Sequence, residues 1–77
     1  MRIIKITVKL FATLRDGRFK DEIREYAHDA SVSDVLRELE IPREEVSLIF
    51  VNGRAAGINS KLKEEDTLSL FPPVGGG

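Results

Sequence analysis

TLSLFPPVGGG, residues 67–77, is the stretch from which the rest of the chain is best interpreted. Its first part, Thr67 to Phe71, has the alternation of a strand and stops at Pro72 and Pro73. Because proline has no amide hydrogen and fixes φ, the two prolines end sheet pairing and hold the following residues extended. We therefore predict one domain over residues 1–71 and a flexible tail, residues 72–77, that projects from it.

The tail ends in three glycines, residues 75–77. Glycine has no Cβ, so these residues can pass through a channel too narrow for side chains. At roughly 3.3–3.6 Å per extended residue, Val74 to Gly77 reach about 13 Å. Such a tail can deliver the terminal carboxylate of Gly77 into the active site of another protein. The alternative is a frayed chain end, which is the usual behaviour of glycine-rich termini.

This ending resembles that of the MoaD/ThiS-type ubiquitin-like sulfur-carrier family, above all the small subunits of molybdopterin synthase, whose tails read Phe-Pro-Pro-Val, a small residue, then Gly-Gly. Residues 71–74 match in order, Gly75 takes the place of the small residue, and Gly76 and Gly77 take the diglycine. The family usually has alanine or serine where Gly75 stands, so this tail is expected to be more flexible. Residues 11–15, Phe-Ala-Thr-Leu-Arg, also resemble the segment after the first strand in the family.

The composition predicts a single folded domain without catalytic equipment of its own. The 77 residues are 42% hydrophobic and 32% charged, which suits a globular protein. There is no cysteine, which excludes disulfides, thiolate metal sites and cysteine nucleophiles. A net charge of −1 predicts no general attraction to nucleic acid or to anionic membranes. Without a long apolar run or a signal pattern, the expected location is cytoplasmic.

The N-terminal part of the chain contains one clear strand and one ambiguous segment. Met1 to Phe11 alternates with period two, which predicts a strand that buries Ile4, Ile6, Val8 and Leu10 and points Phe11 away from the core. Phe19 to Ala27 has apolar residues at helical spacing but is short and has no convincing cap. Periodicity alone favours a helix there. The family resemblance instead implies a second strand, antiparallel to the first.

The middle of the chain contains the main helix and a hairpin. Ser31 is a good N-cap with Asp34 three residues on, and an apolar stripe follows, formed by Val32, Val35, Leu36 and Leu39. Ile41-Pro42 is expected to end this helix, because the residue before proline is pushed out of helical geometry. Val46 to Val51 predicts a third strand, and Asn52-Gly53 predicts a hairpin turn to a short fourth one.

This order of elements is that of an α+β, ubiquitin-like β-grasp: a mixed sheet of four to five strands on one main helix. The resemblance implies that the first and last strands lie side by side, which would place Phe11 and Phe71 on the uncovered face of the sheet as a partner surface. The alternative is that either ring folds over a sheet edge. In the family, positions matching Phe11, Phe71 and Ala55 contact the large subunit of the synthase. Alanine is smaller than the usual residue at the third position.

Chemistry by the chain's own side chains is not expected. His28 is the only histidine and cannot nucleate a normal zinc site without cysteine, and the pairs Glu44-Glu45 and Glu64-Glu65 suit solvated faces better than acid/base catalysis. No bound metal or cofactor is predicted. The resemblance implies that a ubiquitin-activating-like adenylating enzyme uses ATP and magnesium to activate Gly77, and that sulfur then converts it to a thiocarboxylate. Gly76, Gly75, Val74, Pro73 and Pro72 would set the reach and direction of the inserted tail.

The leading hypothesis from the sequence is a sulfur carrier that acts as the small subunit of a synthase of the molybdenum or tungsten pterin cofactor. A second keeps the chemistry and changes the acceptor to thiamine thiazole synthesis. A third is a ubiquitin-like modifier, in which a lysine amine attacks the activated glycine. The last is a non-catalytic β-grasp binding module.

Overall fold

The computed structural model describes residues 2–73. Its strands are β1 (Ile3–Leu10), β2 (Asp21–Ala27), β3 (Leu48–Val51), β4 (Arg54–Ala55) and β5 (Thr67–Phe71), and its helix is α1 (Val32–Glu38). Two short 3-10 helices, Ala12–Arg15 and Arg43–Glu45, lie in the connections. Within this part of the chain, no helix is long and apolar enough to cross a membrane.

The five strands form one mixed sheet in the order β2-β1-β5-β3-β4. β1 and β5 are parallel, and the other neighbours are antiparallel. The first and last strands therefore lie side by side, and β5 is the central strand. This confirms the predicted β-grasp, whose sheet has five strands within residues 2–73.

The core lies between one face of the sheet and α1. The even positions of β1 are buried as its alternation predicts, and Leu68 and Leu70 of β5 are fully buried beside them. Three residues of the helix, Val32, Val35 and Leu36, complete the same cluster. Burying these side chains on one face leaves the other face of the sheet uncovered.

Residues 19–27, for which the sequence left helix and strand open, contain the strand β2. Its register with β1 places Tyr26 beside Ile4, facing the core, while Ile23 is 69% exposed on the outer face. The helical spacing of its apolar residues is therefore misleading. Seven consecutive residue pairs with β1 satisfy the backbone of this segment, and that ladder outweighs a weak local preference for helix.

The helix begins where the sequence predicts and ends earlier. Ser31 and Asp34 form a complete capping box, in which each side chain accepts a hydrogen bond from the other residue's backbone N–H. The last helical residue is Glu38, ahead of the predicted stop at Ile41-Pro42, because Glu40 adopts a left-handed φ of 57°. The Arg18 guanidinium donates to the carbonyl oxygens of Leu39 and Glu40, which satisfies the end of the helix.

The capping box makes the stability of the fold depend on pH. The hydrogen bond from the Ser31 backbone, helped by its hydroxyl and by Arg37, lowers the pKa of Asp34 from the ordinary 3.8. A carboxylate with a lowered folded-state pKa stabilises the fold above pH 3.8, and this contribution is lost as the pH falls through the folded-state pKa.

We predict that Asp34→Asn lowers the free energy of unfolding at neutral pH, and that the gap to the wild type closes in acid, because the wild-type carboxylate is then protonated too. Urea denaturation of both proteins at a series of pH values measures the gap. A gap that is the same at neutral pH and at about pH 2 would contradict the assignment.

The hairpin between β3 and β4 is confirmed at Asn52-Gly53, whose φ angles of 54° and 81° are both left-handed. β3 begins at Leu48 and not at Val46, because Val46 closes the preceding 3-10 turn by donating to the Arg43 carbonyl. The Asn52 side chain also donates to Asp66 and accepts from the Thr67 amide. The turn is thereby anchored to the start of β5.

Candidate functional site

The root of the C-terminal tail lies at the end of the central strand. Backbone pairing continues to the end of β5, since the Phe71 carbonyl accepts from the Ser47 amide at 2.8 Å. Pro72, which is half-buried, and Pro73, which is exposed, follow without amide hydrogens to continue it. The chain therefore leaves the sheet from between β1 and β3.

The predicted tail residues Val74, Gly75, Gly76 and Gly77 lie outside the described residues. Their roles in insertion and acyl transfer stay predictions, as does the division of the chain into residues 1–71 and 72–77. Pro72 and Pro73 are the part of the predicted tail that the structure describes.

Phe11 and Phe71 lie together on the outer face of the sheet, at the root of the tail. Their rings are stacked, with centroids 4.2 Å apart and planes inclined by 9°. Both are half-buried, and neither belongs to the buried core. The structure thus places both predicted partner residues side by side on the uncovered face.

Two further apolar residues extend this pair. Phe50 meets Phe71 edge to face at 5.7 Å, and Leu48, which is 52% exposed, lies opposite Phe71 on the neighbouring strand. Ala55, the third predicted partner residue, is exposed and lies directly opposite Phe50. We call this surface the aromatic patch; its residues are Phe11, Leu48, Phe50, Ala55 and Phe71.

Phe50 and Leu48 were missed in the sequence, although the signal is present there. In the run 46–51, Ile49 packs against the core, so the alternation of a strand sends its two neighbours to the opposite face. Reading that run with period two, as for β1, would have added both residues to the patch.

The outer face also carries charge next to the aromatic patch. The Arg15 guanidinium lies 5.4 Å from the centre of the Phe11 ring, and its Nε donates to the Leu10 carbonyl at 2.6 Å. Cations attract the electron-rich face of an aromatic ring. Arg15 is therefore held in place at the edge of the patch.

The histidine and the acidic side chains of residues 2–73 do not form a metal site. Among residues 2–73, no three histidine, aspartate or glutamate side chains lie close enough to hold a metal ion. His28 is exposed in a turn, and Glu44 and Glu45 are exposed as well. Burial raises the pKa of Tyr26, which keeps its hydroxyl protonated.

The model of the ThiS family matches residues 8–77, nearly the whole chain. The chain belongs to the ThiS family. A search of curated protein sequences gives no match.

This ThiS-family chain is similar in structure to proteins of more than one kind. A Pyrococcus furiosus protein assigned as molybdopterin converting factor, subunit 1, is 31% identical, with a TM-score of 0.75 and coverage of 92% of this chain and 99% of that one. The small archaeal modifier protein 1 of Haloferax volcanii is 27% identical, with a TM-score of 0.74 and coverage of 95% and 99%.

The third structure is a complex. Subunit 1 of the molybdopterin-converting factor of Helicobacter pylori, solved together with subunit 2, matches at 28% identity, with a TM-score of 0.62 and coverage of 96% of this chain and 100% of that one. The predicted membership in the MoaD/ThiS-type sulfur-carrier family is thus confirmed.

Proposed function

We propose that this chain carries sulfur on Gly77 and donates it as the small subunit of an enzyme that makes molybdopterin. One observation carries the proposal: the central strand ends at Phe71, which stacks on Phe11 in the aromatic patch, and in the sequence Pro-Pro-Val-Gly-Gly-Gly follows at once. The same protein partner can therefore hold the patch and receive the end of the chain.

The chemistry starts at the terminal carboxylate of Gly77. In the active site of an adenylating enzyme, an oxygen of this carboxylate attacks the α-phosphorus of ATP, with magnesium on the phosphates, and pyrophosphate leaves. A sulfide-level nucleophile then adds to the acyl carbon, and AMP leaves with the electron pair of the broken C–O bond. The product is a thiocarboxylate. Glycine suits both steps because no side chain shields its carbonyl.

The preceding residues direct the tail. Pro72 and Pro73 hold the chain extended as it leaves the sheet, and Val74, Gly75 and Gly76 complete the reach toward a buried active site. The patch residues Phe11, Phe71 and Ala55, with Phe50 and Leu48, would contact the large subunit. The Helicobacter pylori complex of subunits 1 and 2 supports such a partner.

The test is the intact mass of the native chain after incubation with a matching adenylating enzyme, ATP, magnesium and sulfide. We predict a gain equal to the exchange of one oxygen for one sulfur. The control is the variant without Gly77, which should show no gain, because it ends at Gly76 and is one residue too short for the enzyme. No exchange and no pyrophosphate release, with an enzyme proven active on another carrier, would refute the proposal.

A separate question is which enzyme accepts the sulfur from the carrier. In the leading proposal a large subunit binds the carrier and receives its sulfur for the pterin, and in the alternative an enzyme of thiazole synthesis does so. Purification of the thiocarboxylated chain from its host, followed by identification of the bound large subunit, distinguishes them. The match to the Pyrococcus furiosus and Helicobacter pylori subunits favours the pterin.

A second candidate function is conjugation to proteins, favoured by the similarity to small archaeal modifier protein 1. Here a lysine amine attacks the acyl-adenylate and displaces AMP. The last basic residue of the chain is Lys63, so trypsin would leave residues 64–77 as a branch on the modified lysine. Detection of that branched peptide in host lysates would support conjugation, and its absence while thiocarboxylate is abundant would leave sulfur transfer alone.

A further inference from the structure

A small basic notch lies beside the aromatic patch. It has a volume of about 160 Å³ and is lined by Lys9, Phe11, Arg15, Lys20 and Asp21. Three cationic side chains thus surround a space with a single carboxylate, on a protein whose net charge is −1. Phe11 belongs to both the notch and the patch, so any partner that covers the patch at this corner also covers the notch.

One cation of the notch, Arg15, is preorganised. Arg15 ends the 3-10 helix that follows β1, and two contacts hold its guanidinium: the bond from Nε to the Leu10 carbonyl and the approach to the Phe11 ring. Within residues 2–73, hydrogen bonds from this side chain use Nε and leave its two terminal nitrogens available. A planar guanidinium with two free nitrogens matches the geometry of a carboxylate.

The other two cations increase the positive potential of the notch. Lys9 and Lys20 are exposed, and Lys9 lies directly opposite Asp21 in the ladder of β1 and β2. Asp21 offsets one of the three positive charges, so the notch as a whole remains positive. Its charge is complementary to an acidic side chain.

We propose that the notch receives an aspartate or glutamate side chain of the adenylating enzyme, while the same enzyme places an apolar side chain on the aromatic patch. This inference rests on the proposed function, in which that enzyme must hold the root of the tail to reach Gly77. Both the sulfur carrier and the modifier require this enzyme, so the acidic contact is common to them. The notch thereby orients the carrier before the tail enters the active site.

Matched charge reversals test the proposal. The double variant Lys9→Glu and Lys20→Glu changes the notch, and the double variant Lys61→Glu and Lys63→Glu makes the same change in net charge in the connection before β5. We expect the notch variant to raise the KM for the carrier in ATP–pyrophosphate exchange about tenfold or more, with little change in kcat, and the control to stay within about twofold. Arg15→Lys should retain more activity than Arg15→Ala, since it keeps the charge.

The contact itself can be captured chemically. A carbodiimide activates a carboxylate of the enzyme, and the amine of Lys9 or Lys20 then forms an amide with it, with loss of the urea by-product. Digestion and mass spectrometry should identify a cross-link from one of these lysines to an aspartate or glutamate of the enzyme. Circular dichroism of every variant establishes that it is folded.

The outcomes separate the two proposals. If the wild type supports pyrophosphate exchange but both double variants behave alike and cross-links come only from other lysines, the notch proposal is overturned and the proposed function stands. If the wild type supports no exchange with an enzyme proven active on another carrier, the proposed function fails, and the notch proposal fails with it.

Discussion

The Phe71→Ala variant should bind its partner enzyme about a hundredfold more weakly than the wild type while remaining folded. Phe71 stacks on Phe11 and meets Phe50 edge to face, so its ring links both halves of the aromatic patch. Aromatic anchors at the centre of an interface commonly contribute more than 2 kcal/mol to binding, and about 2.7 kcal/mol corresponds to a hundredfold change in Kd. Titration calorimetry with the adenylating enzyme or the large subunit measures the change.

The fold should tolerate this substitution because the ring is only half-buried. Loss of the two ring contacts is expected to lower the free energy of unfolding by about 1–2 kcal/mol. Ile23→Ala is the matched control, since this residue is also apolar and on the outer face but lies on the edge strand β2, with 69% of its surface exposed. If both variants bound like the wild type, the aromatic patch would not be the docking surface.

Truncation of Leu70, the residue before Phe71, should mainly reduce stability. Leu70→Ala is expected to lower the free energy of unfolding by about 3 kcal/mol, because Leu70 is fully buried in the central strand and its truncation leaves a cavity in the core. A domain of 77 residues has a free energy of unfolding of roughly 4–12 kcal/mol, at 0.05–0.15 kcal/mol per residue. The variant would therefore lose a large share of its stability.

Urea denaturation measures this loss, and two variants serve as controls. Leu70→Met conserves volume and should cost less than about 1.5 kcal/mol. Ser69→Ala lies on the same strand but faces outward beside Phe50, so it should change stability by about 0.5 kcal/mol or less. A Leu70→Ala variant as stable as the wild type would mean that β5 is not the centre of the core.

Phe71→Ala and Leu70→Ala test the two roles of β5 in the proposed function, which are docking and stability. One face of this strand is buried in the core, the other carries Phe71 of the patch, and the tail follows it in the sequence. A central strand is anchored on both sides by backbone pairing, so the root of the tail is held in a fixed position relative to the patch. A rigid root reduces the ordering that a partner must impose when it threads the tail.

Several features were predictable from the sequence because they depend on residues close together in the chain. The capping box at Ser31 and Asp34, the left-handed turn at Asn52-Gly53 and the buried alternation of β1 are all of this kind. Each reflects backbone preferences or contacts over three or four residues. The ending Phe-Pro-Pro-Val-Gly-Gly-Gly is equally local, and it carried the family resemblance.

Local sequence was therefore sufficient to predict the start of the helix, the turn of the hairpin and the inward face of β1. Three other features became apparent only in the fold: residues 21–27 form a strand, Phe50 joins Phe71, and one notch is lined by Lys9, Arg15 and Lys20. All three depend on strand register, that is, on which residue of one strand lies opposite which residue of another. Pairing between segments distant in the chain sets that register. Composition, net charge and local periodicity do not specify which residues are paired.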